Sequence, residues 1–343
     1  MGSASQPKVG FLLTTKDRVD FTRRSLQSID TCGGFDLIWV DGSTTPEGKA
    51  LPRTIKLRNC RIAELHQDVR PRHTDPRSRS FAGNLGSHLA IDFGMRRAID
   101  LGYDYCGIIE NDITFEPNWL PRLMELFELG KRDGFNVGAV TARSIASRVM
   151  FRRPDYLVMW NIGAGMVLFT HQAARIVVRT YANWCAKKLA RFCQKTFGVD
   201  LSNVWELWCD AKDRPLCPDW QFSSHLYEHG LASLATIPSL AFNMDMRIEE
   251  VLRTTYVRQA EEIPMADDRT FATYKGALAA TAASPRSQRL IPSLVDSTRG
   301  RLFRAQLHSK FVRDSAYWLN HALHPISSTE SLIRKTKRKL GWS

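Results

Sequence analysis

Residues 9–43 read VGFLLTTKDRVDFTRRSLQSIDTCGGFDLIWVDGS, and this stretch decides the fold class. Its two apolar runs, Val9–Leu13 and Phe35–Val40, have the length of short buried strands. Between them, Phe21–Ile29 has the apolar spacing of a helix with one buried face. A strand, a helix and a second strand in this order predict a βαβ unit with parallel strands.

The same alternation continues along the chain. Polar residues rich in Arg, Pro, Asp and Ser predict a loop over residues 66–82. After it, the pattern predicts helices at Leu85–Leu101 and Asn118–Gly130, and strands at Tyr105–Ile109 and Val137–Thr141. Strands that alternate with helices at this spacing predict an α/β fold with a mostly parallel sheet flanked by helices.

Polar residues follow each of the first three predicted strands. These clusters are Thr14–Arg18, Asp41–Ser43 and Glu110–Asp112. In open parallel sheets the ligand crevice lies outside the carboxyl ends of the strands, so we expect the three clusters to form one site. The alternative for a single cluster is that its residues cap the helix that follows. Three clusters in succession favour the shared site.

The order of these motifs resembles the family-2-type glycosyltransferases of the GT-A fold. VGFLLTTKDR (9–18) and FDLIWVDGST (35–44) are similar to the first two strands of that family and to the turns that follow them. Ile109-Glu110-Asn111-Asp112 resembles the D-x-D motif, and Asp219, eleven residues before Gly230, matches the spacing of its catalytic helix. The resemblance covers roughly residues 8–245 and implies a Rossmann-like, nucleotide-binding catalytic domain.

The resemblance implies transfer of a sugar from a nucleotide-diphosphate donor, with UDP-sugars favoured, to a glycan or lipid-linked acceptor, as in cell-envelope polysaccharide synthesis. Asp112, with Glu110, would hold Mn²⁺ or Mg²⁺. Asp219 would be the general base of an inverting reaction, and Trp220 would stack on the acceptor; a retaining mechanism stays open. The implied donor-binding residues are Thr14, Asp17, Arg18, Asp41, Arg79, Asn84, Glu110, Asn111 and Gly163.

Two other functions remain open at this stage. His225-Leu-Tyr-Glu-His229 reads H-x-x-E-H, a signature of zinc metallopeptidases, although we find no convincing acidic third ligand downstream. The second alternative is an adaptor that keeps the sugar-nucleotide fold without catalysis and acts at a membrane or on nucleic acid.

The positive charge is concentrated at the carboxyl-terminal end. The chain of 343 residues has a formal net charge of +13. Residues 269–343 carry 14 Lys and Arg against 3 Asp and Glu, so the remainder is nearly neutral. This distribution makes nucleic acid an unlikely partner for the body of the protein. It predicts three parts: a disordered start (1–7), a catalytic domain (8–268) and a basic, largely helical extension (269–343).

Residues 301–343 combine basic side chains with Phe and Trp at helical spacing. Such a segment can bind an anionic membrane surface, or it can pack on the body of the protein. No apolar run approaches the length of a membrane span. Seven cysteines without C-x-x-C spacing suggest reduced thiols. We therefore expect a cytoplasmic protein, and peripheral binding to the cytoplasmic face of a membrane is one of the two roles left open for residues 301–343.

Overall fold

The structure is a computed structural model that describes residues 6–67, 81–145, 148–163, 165–179, 222–223, 225–227, 229–244, 263 and 265–283. The strands are β1 (Val9–Thr15), β2 (Asp36–Asp41), β3 (Arg61–Gln67), β4 (Tyr105–Glu110), β5 (Ile113–Phe115), β6 (Val137–Thr141), β7 (Val149–Arg152), β8 (Tyr156–Met159), β9 (Met166–Thr170), β10 (Ala232–Thr236) and β11 (Ala241–Asn243). The helices are α1 (Val19–Ile29), α2 (Pro46–Thr54), α3 (Phe81–Asp100), α4 (Trp119–Arg132), α5 (His171–Arg179) and α6 (Asp268–Ala283).

Nine of these strands form one sheet in the order β3-β2-β1-β4-β9-β6-β10-β8-β7. In this described sheet seven strands run in the same direction, while β8 and β9 run antiparallel to them. The remaining strands, β5 and β11, pair with each other in a small antiparallel sheet. The predicted α/β class, with a large and mostly parallel sheet flanked by helices, is confirmed.

The sheet separates two apolar layers. One layer holds buried side chains of α1, α2, α4 and α6 together with Tyr227, and the other holds those of α3 and α5 together with Phe222 and Leu226. Helix α3 lies very close to β1, because a Cβ atom on Gly94 would be 2.2 Å from Leu12 Cδ1. The apolar run of β1 is buried on both faces for this reason, as expected for a central parallel strand.

The predicted elements that the structure describes are present, with ends shifted by a few residues. The predicted loop 66–82 is wrong at both ends, because β3 reaches Gln67 and α3 begins at Phe81. Seven of the described strands were not predicted: β3, β5, β7, β8, β9, β10 and β11. Strand β3 lies at the edge of the described sheet, and most of its residues are half-buried. Its sequence therefore lacks a clear alternation of apolar and polar residues.

The predicted division between a catalytic domain (8–268) and a basic extension (269–343) falls at the first turn of α6. This helix packs on the body: the ring of Tyr274 lies 5.7 Å from that of Phe135 and 5.2 Å from that of Phe151. Lys275 Nζ also donates a hydrogen bond of 2.7 Å to the carbonyl of Asp133. The first helix of the predicted extension therefore shares the core of the sheet domain. The predicted membrane-binding segment, 301–343, and most of the predicted disordered start, 1–5, lie outside the described residues.

Candidate functional site

The three predicted clusters meet at one edge of the sheet. Strand β1 pairs with β2 on one side and with β4 on the other, both in parallel. In this register Thr15 lies beside Asp41, and Thr14 lies beside Glu110. The carboxyl ends of the three strands therefore form a continuous edge, and we refer to it as the carboxyl edge.

Asp41 is enclosed by donors of the protein itself and is only 2% exposed. Its Oδ1 accepts hydrogen bonds from the Thr15 hydroxyl at 2.8 Å and from the Ser43 backbone N–H at 3.0 Å. Its Oδ2 accepts from the Gln67 amide at 3.1 Å. Trp39 donates its indole N–H to Thr15 at 2.8 Å and extends the network. Asp41 thus joins the ends of β1, β2 and β3.

Asp17 holds the loop between β2 and α2. Its carboxylate accepts hydrogen bonds from the backbone N–H groups of Thr44 (2.6 Å) and Thr45 (2.8 Å) and from both of their hydroxyls (2.7 and 3.1 Å). Partial burial raises the pKa of Asp17, but these hydrogen bonds outweigh it and lower the pKa to about 2. Thr45 in turn caps α2 by accepting from the Gly48 N–H at 3.2 Å. Asp17 therefore fixes the loop that borders the carboxyl edge.

Asp112 and Asn111 connect the end of β4 to α1. Arg18 Nη1 lies 3.1 Å from Asp112 Oδ2, and the Asn111 amide donates to the Thr22 hydroxyl at 3.0 Å. The Met244 N–H donates to the Asp112 carbonyl at 2.7 Å, so β11 supports the same turn. The Arg18 side chain is 44% exposed and the Asp112 side chain only 13% exposed, so the pair lies where the interior meets solvent.

The fit of a divalent cation rests on Asp112 and Glu110. Carboxylate oxygens suit Mg²⁺ and Mn²⁺. Among the described residues, no group of three His, Cys, Asp or Glu side chains is close enough to hold a metal ion. Mg²⁺ often binds through only one or two carboxylates and completes its coordination with substrate phosphates and water. Asp112 and Glu110 supply the number of carboxylates that this second mode requires, and their metal role stays a prediction.

An arginine that the sequence did not indicate lies at the same edge. Strand β9 runs antiparallel between β4 and β6, so its first residues adjoin the last residues of both neighbours. A Cβ atom on Gly165 would lie 3.2 Å from Arg143 Nη1 and 3.2 Å from Glu110 Oε2. Gly165 also accepts a hydrogen bond of 2.8 Å from the Glu110 N–H. The structure thus brings the side chains of Arg143 and Glu110 close to the same glycine.

The segment before β9 contains two further features of the site. Gly163 is half-buried, two residues before Gly165. Asn161 is only 1% exposed, and within the described structure neither its amide nitrogen nor its amide oxygen has a hydrogen-bond partner. The Ile162 N–H donates to the Ser223 hydroxyl at 2.9 Å, which fastens this segment to the helical residues 222–227. The predicted base, Asp219, is four residues before Ser223 in the chain.

Several predicted site residues lie outside the described residues. They are Arg79, Asp219 and Trp220, together with the side chain of Asn84, whose backbone belongs to α3. Their predicted roles stay predictions. Thr14 is half-buried at the end of β1 and borders the carboxyl edge.

Both histidines of the H-x-x-E-H motif are at least partly buried. His225 is fully buried, and His229 Nδ1 lies 2.8 Å from the carbonyl oxygen of His225. His229 therefore has a backbone contact one helical turn away, while Glu228 lies outside the described residues. The zinc role of this motif therefore stays a prediction.

Comparison of the chain with protein-family models and with curated proteins finds no match. None of the described helices is both long and apolar enough to cross a membrane.

Proposed function

We propose that this protein is a GT-A fold glycosyltransferase that transfers a sugar from a nucleotide-diphosphate donor, with UDP-sugars favoured, to a glycan or lipid-linked acceptor. The observation that carries the proposal is the meeting of Asp17–Arg18, Asp41 and Glu110–Asp112 at one edge of the sheet. This edge is where α/β sheets bind nucleotides. It combines carboxylates with an arginine, Arg18, whose guanidinium lies 3.1 Å from Asp112.

The arrangement of the sheet supports the same function. Strands β1 to β4 form a parallel block of the kind that binds nucleotides. The small β5–β11 sheet begins directly after Asp112 and holds that residue through the Met244 N–H. The motif that resembles D-x-D is therefore supported from both sides, by α1 through Arg18 and by β11 through its backbone.

Each of these residues has a separate proposed role in sugar transfer. Thr14 and the loop held by Asp17 border the region proposed for the nucleoside, while Arg18 can move from Asp112 to a phosphate oxygen of the donor. Mn²⁺ or Mg²⁺, held by Asp112 and Glu110, would neutralise charge on the departing diphosphate. Asp219 is proposed to accept the proton of the acceptor hydroxyl as that oxygen attacks the sugar.

The test is release of nucleoside diphosphate from a panel of nucleotide sugars, with Mn²⁺ or Mg²⁺ and a set of glycan and lipid-linked acceptors. We expect one donor to be turned over, and Asp112→Asn and Asp219→Asn to lower kcat at least about 100-fold. Asp219→Asn should still bind the nucleotide, because its proposed role is in the chemical step. Nuclear magnetic resonance of the product then reports whether the anomeric configuration is inverted.

The matched control is Asp100→Asn. Asp100 is the last residue of α3, is 64% exposed and lies away from the carboxyl edge. This variant should retain full activity. Full activity of Asp112→Asn would refute the proposed role of the carboxyl edge. Binding of a nucleotide sugar without turnover of any donor would indicate an adaptor instead of an enzyme.

A further inference from the structure

Helix α1 is joined to the turn that carries Asp112 by one buried hydroxyl group. The Thr22 hydroxyl donates to the Arg18 carbonyl at 2.8 Å and accepts a hydrogen bond of 3.0 Å from the side-chain amide of Asn111. Thr22 is only 1% exposed, and hydrogen bonds are stronger where water is largely excluded. The hydroxyl therefore links the first turn of α1 to the turn between β4 and β5.

The contacts of Thr22 complete a closed ring. Asn111 directly precedes Asp112, and Asp112 Oδ2 lies 3.1 Å from Arg18 Nη1. The ring thus runs from Arg18 through Thr22 and Asn111 to Asp112, and back to Arg18. The Arg18 side chain is 44% exposed, whereas the hydroxyl is buried. The buried side of this ring therefore depends on Thr22.

A second hydroxyl of α1 forms the same kind of link farther along the helix. The Ser28 hydroxyl donates to the Ser25 carbonyl at 2.7 Å and accepts a hydrogen bond of 3.1 Å from the Phe115 N–H. Each hydroxyl thus donates to a carbonyl of α1 or its cap and accepts from the segment 111–115. Ser28 holds the end of β5, whereas Thr22 holds the turn before that strand.

We infer that Thr22 and Asn111 are positioning residues for sugar transfer, because together they hold Asp112 beside the first turn of α1. The effect on catalysis rests on the proposed function, although the hydrogen-bonded link does not. Asn111 is one of the implied donor-binding residues, and its amide nitrogen is engaged by Thr22. A hydroxyl has a single hydrogen, which Thr22 gives to Arg18, so it requires a donor at position 111. An amide supplies that donor, and a carboxylate does not.

The inference is tested by measuring kcat of Thr22→Val and Thr22→Ser with the nucleotide sugar that the unsubstituted protein turns over. Valine keeps the branched shape of threonine but lacks the hydroxyl, whereas serine keeps the hydroxyl. We expect Thr22→Val to lower kcat about 10- to 100-fold, as for the displacement of a catalytic group by less than about 1 Å. Thr22→Ser should restore most of this loss. Asn111→Ala removes the other partner and should resemble Thr22→Val, which tests the same hydrogen bond if Thr22→Val does not fold.

The link is measured without any substrate by urea denaturation of Thr22→Val, Asn111→Ala and the variant that carries both substitutions. Each single substitution removes the same hydrogen bond. The double variant should therefore lose less free energy of unfolding than the sum of the two single losses.

Ser28→Ala is the matched control. It removes the equivalent link from α1 to the segment 111–115, but at Phe115 instead of at the turn. We expect it to lower the urea midpoint, as Thr22→Val does, and to leave kcat unchanged. A loss of kcat that is confined to the Thr22 and Asn111 variants would show that the effect on turnover does not come from reduced stability.

The outcomes distinguish this inference from the proposed function. Full turnover by Thr22→Val, an equal loss of kcat in Ser28→Ala, or a loss in Thr22→Ser as large as in Thr22→Val would overturn the inference while leaving the function standing. Failure of the unsubstituted protein to turn over any nucleotide sugar would refute the function. The urea measurement would then still decide the link, because coupled losses would support it and additive losses would overturn it.

Discussion

The carboxylate of Asp17 provides a test of how the loop beside the carboxyl edge is held. The perturbation is Asp17→Asn, which removes the charge and retains one oxygen acceptor. Asp17 has a positive φ of 51°, a conformation that Asn adopts about as readily as Asp. The substitution therefore changes the charge of the acceptor without adding strain to the backbone.

The magnitude follows from the pKa. The four hydrogen bonds from Thr44 and Thr45 lower the pKa of Asp17 from 3.8 to about 2, against the opposing effect of burial. A shift of this size corresponds to about 2.4 kcal/mol at ~1.4 kcal/mol per pKa unit. The carboxylate is largely open to water, so solvent screening reduces the expected contribution to about 1 kcal/mol.

The sign of the pH dependence is fixed by the direction of the shift. The folded protein has the lower pKa, so the stabilisation is fully present above about pH 4 and is lost as the pH falls through about 2. At pH 3 roughly half of it should remain. Asp17→Asn should therefore lower the free energy of unfolding by about 1 kcal/mol at pH 7 and by about half as much at pH 3.

The assay is urea denaturation followed by tryptophan fluorescence at pH 7 and pH 3, with Asp100→Asn as the control carboxylate. The comparison uses the difference between each variant and the unsubstituted protein at the same pH, which removes the titration of all other groups. A variant as stable as the unsubstituted protein at pH 7 would refute the role of Asp17. A loss that is the same at both pH values would refute its electrostatic origin.

Two further substitutions test packing and polarity near the site. Asn161→Leu replaces a buried amide, which has no hydrogen-bond partner in the described structure, by an apolar side chain of similar size. The free energy of unfolding, measured by urea denaturation, should therefore rise by about 1 kcal/mol. A fall of that size would show that the amide is paired in solution. Gly107→Ala would place a Cβ atom 2.1 Å from Phe11 Cδ1, so it should lower the free energy of unfolding by about 1–3 kcal/mol in thermal denaturation. Its control, Gly276→Ala on the open face of α6, should raise the free energy of unfolding by up to about 1 kcal/mol. Equal effects of the two substitutions would contradict the packing of β1 on β4.

The amino-acid sequence was sufficient for the central part of the fold. The apolar runs of β1, β2 and β4 are strong local signals because these strands are buried on both faces. The polar residues that follow them are adjacent in the sequence to the strands that position them. Their meeting at one edge follows from parallel pairing alone, so that part of the site could be predicted.

The actual partners of the site residues could not be predicted in this way. Asp41 is one of the implied donor-binding residues, and its oxygens accept hydrogen bonds from Thr15, Ser43 and Gln67. Gln67 ends an edge strand whose half-buried residues give little periodic signal. The hydrogen-bond partners of Asp41 therefore depend on which strand pairs with β2, and the amino-acid sequence does not show that pairing.

The sequence by itself determined the alternation of strands and helices and the concentration of positive charge after residue 268, since both are properties of short stretches of chain. Only the tertiary structure decided that Arg143 lies beside Gly165 and Glu110. That juxtaposition requires β9 to enter the sheet antiparallel between β4 and β6. Strand order and register depend on contacts between distant segments, and the spacing of residues along the chain does not encode them.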